Sequence, residues 1–336
     1  GLAQRLIRFA NSMVGSLPGG LAIVTILGCM FFASISGSAL ATAAVLGSIL
    51  IPAMVKQGYD IRFAAAVVGA ASPIGAIIPP STTFIIFGSS TNTSIKELYM
   101  AGLPAGIILG LALIIVAYVI GKKNGYVGER NAFSLKEFWL SFKDAIWALG
   151  TPIIMVGGVF GGFFTPTESA VIAVVYALII GMFVYKELKL KDLYGIFFDS
   201  ARTTGNLLFI VANAALFAYV MTIENIPQTS ITDNPILLLL IINLILLVAG
   251  AIMETIAIII VMVPLFMPIV EMIGMDPVVF GVIVIVNTAI GMVTPPFGLC
   301  LLTASSIAQI GVEKTLKHAF IFITASIVVL LLITYI

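Results

Sequence analysis

Gly75-Ala76-Ile77-Ile78-Pro79-Pro80-Ser81-Thr82-Thr83 and Gly291-Met292-Val293-Thr294-Pro295-Pro296-Phe297-Gly298 carry one pattern twice, a glycine four residues ahead of a Pro-Pro pair, at an offset of 216 positions. The match runs without gaps over 52–97. Pro52 falls on Pro268, Gly58 on Gly274, Asp60 on Asp276, Ser89-Ser90 on Ser305-Ser306 and Glu97 on Glu313, eleven identities in 46 positions. The identities gather at glycine and proline, which dictate backbone geometry rather than hydropathy. A repeated structural unit explains that better than chance likeness between apolar helices.

The solvent is fixed by composition. Of 336 residues 61% are apolar and 9% charged, with mean hydropathy +1.21, whereas soluble domains run at about 45–50% apolar and about 25% charged. This is the composition of a polytopic membrane protein and excludes a soluble enzyme. The net charge of +1 argues against a nucleic-acid binder. Cys29 and Cys300 lie in apolar runs and imply neither a disulfide framework nor a metal site. His318, the single histidine, sits in a basic segment and reads as interfacial rather than as a proton relay. Gly1 to Arg8 form an amphipathic stretch without an initiating methionine, which leads to the expectation of a fragment.

Apolar segments fall at 17–34, 38–55, 61–79, 80–88, 98–120, 145–163, 167–185, 203–221, 236–253, 255–270, 277–293, 296–308 and 319–336. Several fall short of the roughly 20 residues that cross a bilayer core. The short ones come in neighbouring pairs, broken at Ser36-Gly37-Ser38, Pro79-Pro80, Met253-Glu254 and Pro295-Pro296. Two amphipathic stretches, 134–144 and 188–199, are predicted to lie at the interface. If 17–55 and 236–270 each return to the side they left, one side gathers Arg5, Arg8, Lys56, Arg62, Lys122, Lys123, Arg130, Lys136, Lys143, Lys186, Lys189, Lys191, Arg202, Lys314 and Lys317. Lys96 alone falls opposite, where the loops carry Glu224, Asp233, Glu271 and Asp276. The basic side is cytoplasmic by the positive-inside rule.

Charge also orients the two copies. Loop 56–62 holds Lys56 and Arg62, while its equivalent 272–278 has no basic residue and lies beside Glu271. The first copy ends uncharged at 89–93; the second ends beside Lys314 and Lys317. Equivalent ends therefore face opposite sides, giving an inverted-topology repeat. Such repeats characterise secondary transporters, with sites at the midplane where helices break. The counterpart of 138–216 would precede residue 1, so the sequence leads to the expectation of further helices ahead of it.

A broken helix frees carbonyls at one half-helix end and N–H groups at the other, and in hydrocarbon these need partners. The carbonyl ends suit a small hard cation such as Na⁺ and the N–H ends a carboxylate. Pro79-Pro80 and Pro295-Pro296 are predicted to open the second half-helices, where a first-turn proline loses no hydrogen bond, although ligand-free kinks fit them too. Ser36-Gly37-Ser38 fits either the tip of a hairpin turning inside the bilayer or a tight turn between full spans. Glu254 fits a cation ligand and a helix cap equally; Glu168 in Thr165-Pro166-Thr167-Glu168 reads as a cap. No arginine or lysine lies at a break. An anionic substrate is thus expected to be held by dipoles, hydroxyls and cations. A single interfacial histidine leaves no nucleophile–base pair for an enzyme, and polar residues clustered at breaks do not line a channel.

Ser36-Gly37-Ser38-Ala39-Leu40-Ala41-Thr42-Ala43, Pro52-Ala53-Met54, Gly58-Tyr59, Gly75 to Ser81, Thr165 to Ala170 and Thr294-Pro295-Pro296-Phe297-Gly298 together resemble the large membrane (M) subunit of tripartite ATP-independent periplasmic (TRAP) transporters. The ordered set covers essentially the whole chain. The resemblance implies an all-α polytopic membrane protein with inverted-topology repeats, two re-entrant hairpins and two discontinuous helices in an elevator architecture. It divides the chain into an arm 1–16; repeat 1 over 17–120 (hairpin 17–55, broken helix 59–90, helix 95–120); connecting helices 121–235; and repeat 2 over 236–336 (hairpin 236–272, broken helix 277–308, helix 312–336). It implies Na⁺-coupled import of an organic acid such as a C4-dicarboxylate, sialic acid or another sugar acid across the bacterial inner membrane. Its expected partners are a small membrane (Q) subunit and a periplasmic binding protein. By position, one Na⁺ site takes Ser36, Ser38, Gly75, Ile78, Pro79 and Ser81, and the other Gly250, Met253, Glu254, Val293, Thr294 and Pro296. Substrate is expected near Ser36, Gly37, Thr42, Ser81, Asn287, Thr288 and Thr294. A stand-alone Na⁺-coupled dicarboxylate carrier of related inverted-hairpin design is the alternative.

Overall fold

A computed structural model describes residues 2–126, 128, 134–223 and 234–336, and every regular element among them is helical. Arg130, Glu224 and Asp233 lie outside the described residues. The helices are α1 (Leu2–Val14), α2 (Gly20–Ser36), α3 (Ala39–Lys56), α4 (Ile61–Ala71, continued by a 3₁₀ turn Ser72–Ala76), α5 (Thr82–Thr91), α6 (Ile95–Lys123) and α7 (Leu135–Phe160). They continue as α8 (Pro166–Ile179, with a π turn Ile180–Val184), α9 (Leu190–Ile223), α10 (Pro235–Ile252), α11 (Thr255–Met272), α12 (Pro277–Gly291), α13 (Leu299–Ile307) and α14 (Val312–Tyr335). Among the described residues seven helical stretches are long and apolar enough to cross a membrane: 39–56, 95–123, 135–160, 166–184, 235–252, 255–272 and 312–335. The chain is a multi-pass membrane protein.

The repeat reappears as repeated element boundaries. α3 and α11 are each 18 residues long, and α4 and α12 both start behind an aspartate. Asp60 accepts the Arg62 N–H and Asp276 the Val278 N–H, filling one of the orphan donors of a helix start. The Arg62 guanidinium, bonded to Asp60 through Nε at 3.0 Å, holds that carboxyl below the usual carboxylate range. The fold also pairs elements across the repeats: α3 packs on α13 as α11 packs on α5, and α4 packs on α14 as α12 packs on α6.

Contacts at the two ends establish the inversion. At one end Tyr126, just past α6, stacks on Tyr59 with centroids 4.2 Å apart and accepts the Gly19 N–H at 2.9 Å. There Phe63 of α4 meets His318 of α14 edge-on at 5.9 Å. That end gathers the start of α2, the end of α3, the start of α4, the end of α6 and the start of α14, and with them Lys56, Arg62, Lys122, Lys123, Lys314 and Lys317. At the other end Phe87 of α5 meets Phe280 of α12 at 6.3 Å, and the Tyr335 hydroxyl of α14 donates to the Ile236 carbonyl of α10 at 3.1 Å. α4 thus begins at the basic end and its counterpart α12 at the opposite one, and each hairpin, α2–α3 and α10–α11, leaves from and returns to its own end.

The stretches 134–144 and 188–199 open the long helices α7 and α9, which run on through Gly150 and Pro152 and through Gly205 respectively. In 134–144 the polar positions are used by α1: Asp144 pairs with Arg5 at 3.2 Å and Arg8 at 3.3 Å, and the Ser141 hydroxyl donates to Ser12 at 2.8 Å. Partly exposed ion pairs contribute about 0.2–1 kcal/mol each, so Phe9 clustered with Phe31, Phe138 and Phe142 carries most of the docking of α1.

Lys96→Cys and Lys317→Cys, each in a chain with Cys29 and Cys300 replaced by alanine, test the inversion. A membrane-impermeant maleimide is expected to label Lys96→Cys in intact cells and Lys317→Cys only after permeabilisation; labelling of both from one face would contradict the topology.

Candidate functional site

Where α4 gives out, three prolines set the path of the backbone toward α5. Pro73, Pro79 and Pro80 lack N–H donors, the chain passes through the 3₁₀ turn and a cis Pro79-Pro80 bond, and α5 starts at Thr82 behind its cap Ser81. The prolines therefore precede the second half-helix rather than open it. In the second repeat Pro295-Pro296 is also cis, and α13 starts at Leu299 behind Gly298. The expected first-turn role of both pairs is corrected: a serine or glycine cap stands between proline and helix.

The α2–α3 tip is seated against the first break. Gly37 ends α2 with φ 61°, a left-handed conformation suited to glycine. The Thr82 hydroxyl donates to the Gly37 carbonyl at 2.9 Å, and the Thr42 hydroxyl to the Ser38 carbonyl at 2.8 Å. Ser81 and Thr83 both donate to the Ala76 carbonyl, at 2.6 and 2.8 Å. A Cβ on Gly75 would fall 2.6 Å from Thr42 Oγ1 and 2.8 Å from the Ser38 carbonyl oxygen, so only glycine admits this approach. Gly37, Gly75, Ile78, Pro79 and Ser81 are buried, and Ser36 and Ser38 half-buried. The result is a nest of carbonyls ringed by neutral hydroxyls, with helix termini from α2, α3, α4 and α5 converging on it.

The α10–α11 tip meets the second break differently. The Gly298 N–H donates to the Ala251 carbonyl at 3.2 Å, and Gly250 crosses Gly291 backbone to backbone. The Thr294 hydroxyl donates to Ile290 at 3.0 Å and that of Thr255 to the Met292 sulfur at 3.3 Å. Where the first break has Ser81, Thr82 and Thr83, this one has Phe297, Gly298 and Leu299. Where the first tip has Gly37 and Ser38, this one has Met253 and Glu254. Glu254 occupies the cap position of α11, but its side chain makes no capping bond. Gly250 and Val293 are buried, Glu254 and Thr294 half-buried, and Met253 and Pro296 exposed. Glu168, by contrast, closes a capping box with Thr165.

Of the expected residues, Ser38 and Gly75 are brought together at the first break, and Gly250 is brought against Gly291 at the second. Asn287 and Thr288, expected beside substrate, are fully buried below the second break: the Asn287 amide donates to Asn243, and the Thr288 hydroxyl donates to Val284 at 2.8 Å. Thr82 and Thr83 escape the sequence reading, although both stand in the stretch that defines the break. Beside Ile78 and Pro79 a cleft of about 550 Å³ is lined by Met30, Phe31, Leu103, Ile107 and Ile153, with Ser34 its one hydroxyl. That lining offers nothing to an anion, so the polar chemistry lies at the tips. Among the described residues no three His, Cys, Asp or Glu side chains cluster to hold a metal ion.

Residues 1–336 match the family described as the tripartite ATP-independent periplasmic transporter, DctM component. The chain belongs to the DctM family. It is similar to the isethionate TRAP transporter permease protein DctMQ of Oleidesulfovibrio alaskensis, 44% identical over 342 residues that take in 100% of this chain and 54% of that protein. The C4-dicarboxylate TRAP transporter large permease protein DctM of Pseudomonas aeruginosa is 40% identical over 342 residues, 100% of this chain and 80% of that one. The sialic acid TRAP transporter large permease protein SiaM of Vibrio cholerae is 39% identical over 316 residues, 92% of this chain and 74% of that one. The DctM-family chain therefore spans about half the length of the first relative and about three-quarters to four-fifths of the others. It is a transporter permease and not an enzyme.

Gly75→Ala tests the seating of the first tip. The added methyl is expected to lower uptake at least about tenfold, the effect of roughly 1.4 kcal/mol, with unchanged protein in the membrane by immunoblot; full activity would contradict the close approach.

Proposed function

We propose that this chain is the large permease subunit of a Na⁺-coupled tripartite importer of an organic acid, working in the bacterial inner membrane by an elevator motion. The observation that carries the reading is the seating of a hairpin tip against a helix break in both halves of an inverted pair. In such a pair the two tips approach one region from opposite ends, the arrangement from which midplane ion and substrate sites are built. α4 rises about 16 Å over 11 residues and its 3₁₀ turn about 10 Å over 5 residues before the break, and α5 adds about 15 Å beyond it. A tip seated there lies within a hydrocarbon core of about 30 Å, which supports re-entrant hairpins.

In this reading one Na⁺ is held at Ser36, Ser38, Gly75, Ile78, Pro79 and Ser81, chiefly by carbonyls. The other is held at Gly250, Met253, Glu254, Val293, Thr294 and Pro296, with Glu254 supplying the one negative charge. The acid lies between the tips, near Ser36, Gly37, Thr42, Ser81 and Thr294. Bound cations offset its charge where no arginine or lysine does, so acid and Na⁺ bind together. Relatives named for C4-dicarboxylate, sialic acid and 2,3-diketo-L-gulonate support an acid as cargo. The hairpins and broken helices move as one body against α7 and α8; α7 packs chiefly on α8 and on α1, a junction at which such motion is accommodated. A small membrane subunit braces the immobile helices, and a periplasmic binding protein delivers the acid; a relative named DctMQ supports the first partner.

The test is uptake of a panel of labelled acids into proteoliposomes. Accumulation is expected to require an inward Na⁺ gradient, the binding protein and the small subunit together; Na⁺-driven uptake by this chain alone would overturn the tripartite reading. Ser38→Ala and Thr294→Ala are each expected to raise the Na⁺ concentration for half-maximal uptake with normal membrane levels, and unchanged Na⁺ dependence in both would reject the ion sites.

A further inference from the structure

Below the second break runs a polar chain that the first repeat lacks. The Asn287 side-chain N–H₂ on α12 donates to both the backbone carbonyl and the side-chain oxygen of Asn243 on α10, at 2.9 and 2.6 Å. Asn243 in turn donates to the Thr334 hydroxyl of α14 at 3.3 Å, and Thr334 donates to Leu330 at 2.9 Å. Asn287 is fully buried, and its side-chain oxygen has no partner among the described residues. Its orientation is nevertheless determined: turned over, the amide would set that oxygen against two acceptors. The equivalent positions in the first repeat are Leu27, Ala71 and Tyr118. An amide left with an unpaired oxygen among apolar helices is unfavourable to keep, and α2 and α4 pack without one.

The difference arises from how each tip is fastened. The first is held at its point, where Thr82 donates to the Gly37 carbonyl. The second has glycine and leucine in place of Thr82 and Thr83, and across it reach the Gly298 N–H, to the Ala251 carbonyl, and the Thr255 hydroxyl, to the weakly accepting Met292 sulfur. Its stem adds alignment that the first hairpin takes from its tip. Asn243 and Asn287 face each other, and farther along the same two helices Gly250 crosses Gly291 so closely that a Cβ on Gly291 would fall 2.5 Å from the Gly250 Cα. These two points fix both the slide and the rotation of α10 on α12. The helix runs unbroken from Asn243 to Ile252, and the Gly291–Thr294 turn begins one helical turn past Asn287.

We propose that Asn243 and Asn287 are positioning residues for cation binding at the second break: they set α10 against α12 so that the carbonyls around Gly250 and Val293 stand where an ion needs them, without touching it. The inference rests on the reading of that break as a Na⁺ site.

The experiment replaces the pair by its first-repeat counterparts, Asn243→Leu with Asn287→Ala, in the complete transporter with its small subunit and binding protein. Na⁺ titration of uptake at saturating acid is expected to show half-saturation raised about tenfold or more, the usual scale for residues that orient ligands, with the maximal rate at high Na⁺ within about twofold. Na⁺-induced thermal stabilisation of the purified complex is expected to shift to the same higher concentrations. An unchanged Na⁺ requirement, or a lower maximal rate at unchanged half-saturation, overturns the proposal. Thr294→Ala is the companion: if it moves the Na⁺ requirement and the amide variant does not, the positioning role fails while the site stands; if neither moves it, the site itself fails. Should the double variant not reach the membrane, Thr334→Val, which cuts only the outer link of the chain, is expected to raise half-saturation in the same direction by a smaller factor, and no shift overturns the proposal.

Discussion

Interrupting a helix leaves carbonyl and N–H groups that must find other partners, and that constraint organises this molecule. At the second Pro-Pro break the hairpin tip meets one of them, the Gly298 N–H on the Ala251 carbonyl, while at the first Ser81 and Thr83 meet the Ala76 carbonyl from within the break and Thr82 meets the Gly37 carbonyl of the tip. Because the repeats are inverted, the two tips come from opposite ends. Glycine stands at each close approach: Gly75 admits the Ser38 carbonyl, and Gly291 admits Gly250. Larger residues there would hold the tips away and leave the breaks bare.

The two halves meet the same constraint with different chemistry. Serine and threonine hydroxyls crowd the first break, so every oxygen there is neutral and the nest is largely buried. The second exchanges hydroxyls for apolar side chains, exposes Met253 and Pro296, and carries one carboxylate, Glu254. A neutral set of carbonyls and hydroxyls binds a monovalent cation by geometry, whereas a set containing a carboxylate adds charge. In the proposed function, these unequal ligand sets are two cation environments, and the acid lies between them.

Much of this is legible in the sequence, because breakers act locally. Gly75, Pro79-Pro80 and their counterparts announce interrupted helices wherever they fall, and the lysines and arginines order the ends, which the Tyr59–Tyr126 and Phe63–His318 contacts then join. The hidden part is tertiary. The charges of 134–144 look interfacial because nothing in that stretch reveals that Arg5 and Arg8 of α1 neutralise Asp144. Asn287 is expected beside substrate as a polar residue near a break, and its bond to the facing Asn243, 44 positions earlier, is a tertiary contact that the local sequence does not announce. A lone asparagine in the otherwise apolar run of α10 is the available signal. The seating of Ser38 against Gly75 comes from family likeness and not from spacing, since no local rule pairs residues across two helices.

The proposed transport requires the paired breaks themselves to be the cation sites. Equilibrium binding of radioactive sodium to the purified transporter without substrate tests it most directly. Saturable binding that potassium does not displace is expected, diminished in part by Gly75→Ala, in part by Gly291→Ala and abolished when both are combined. Binding that persists unchanged in the combined variant, with the protein still folded, would contradict it.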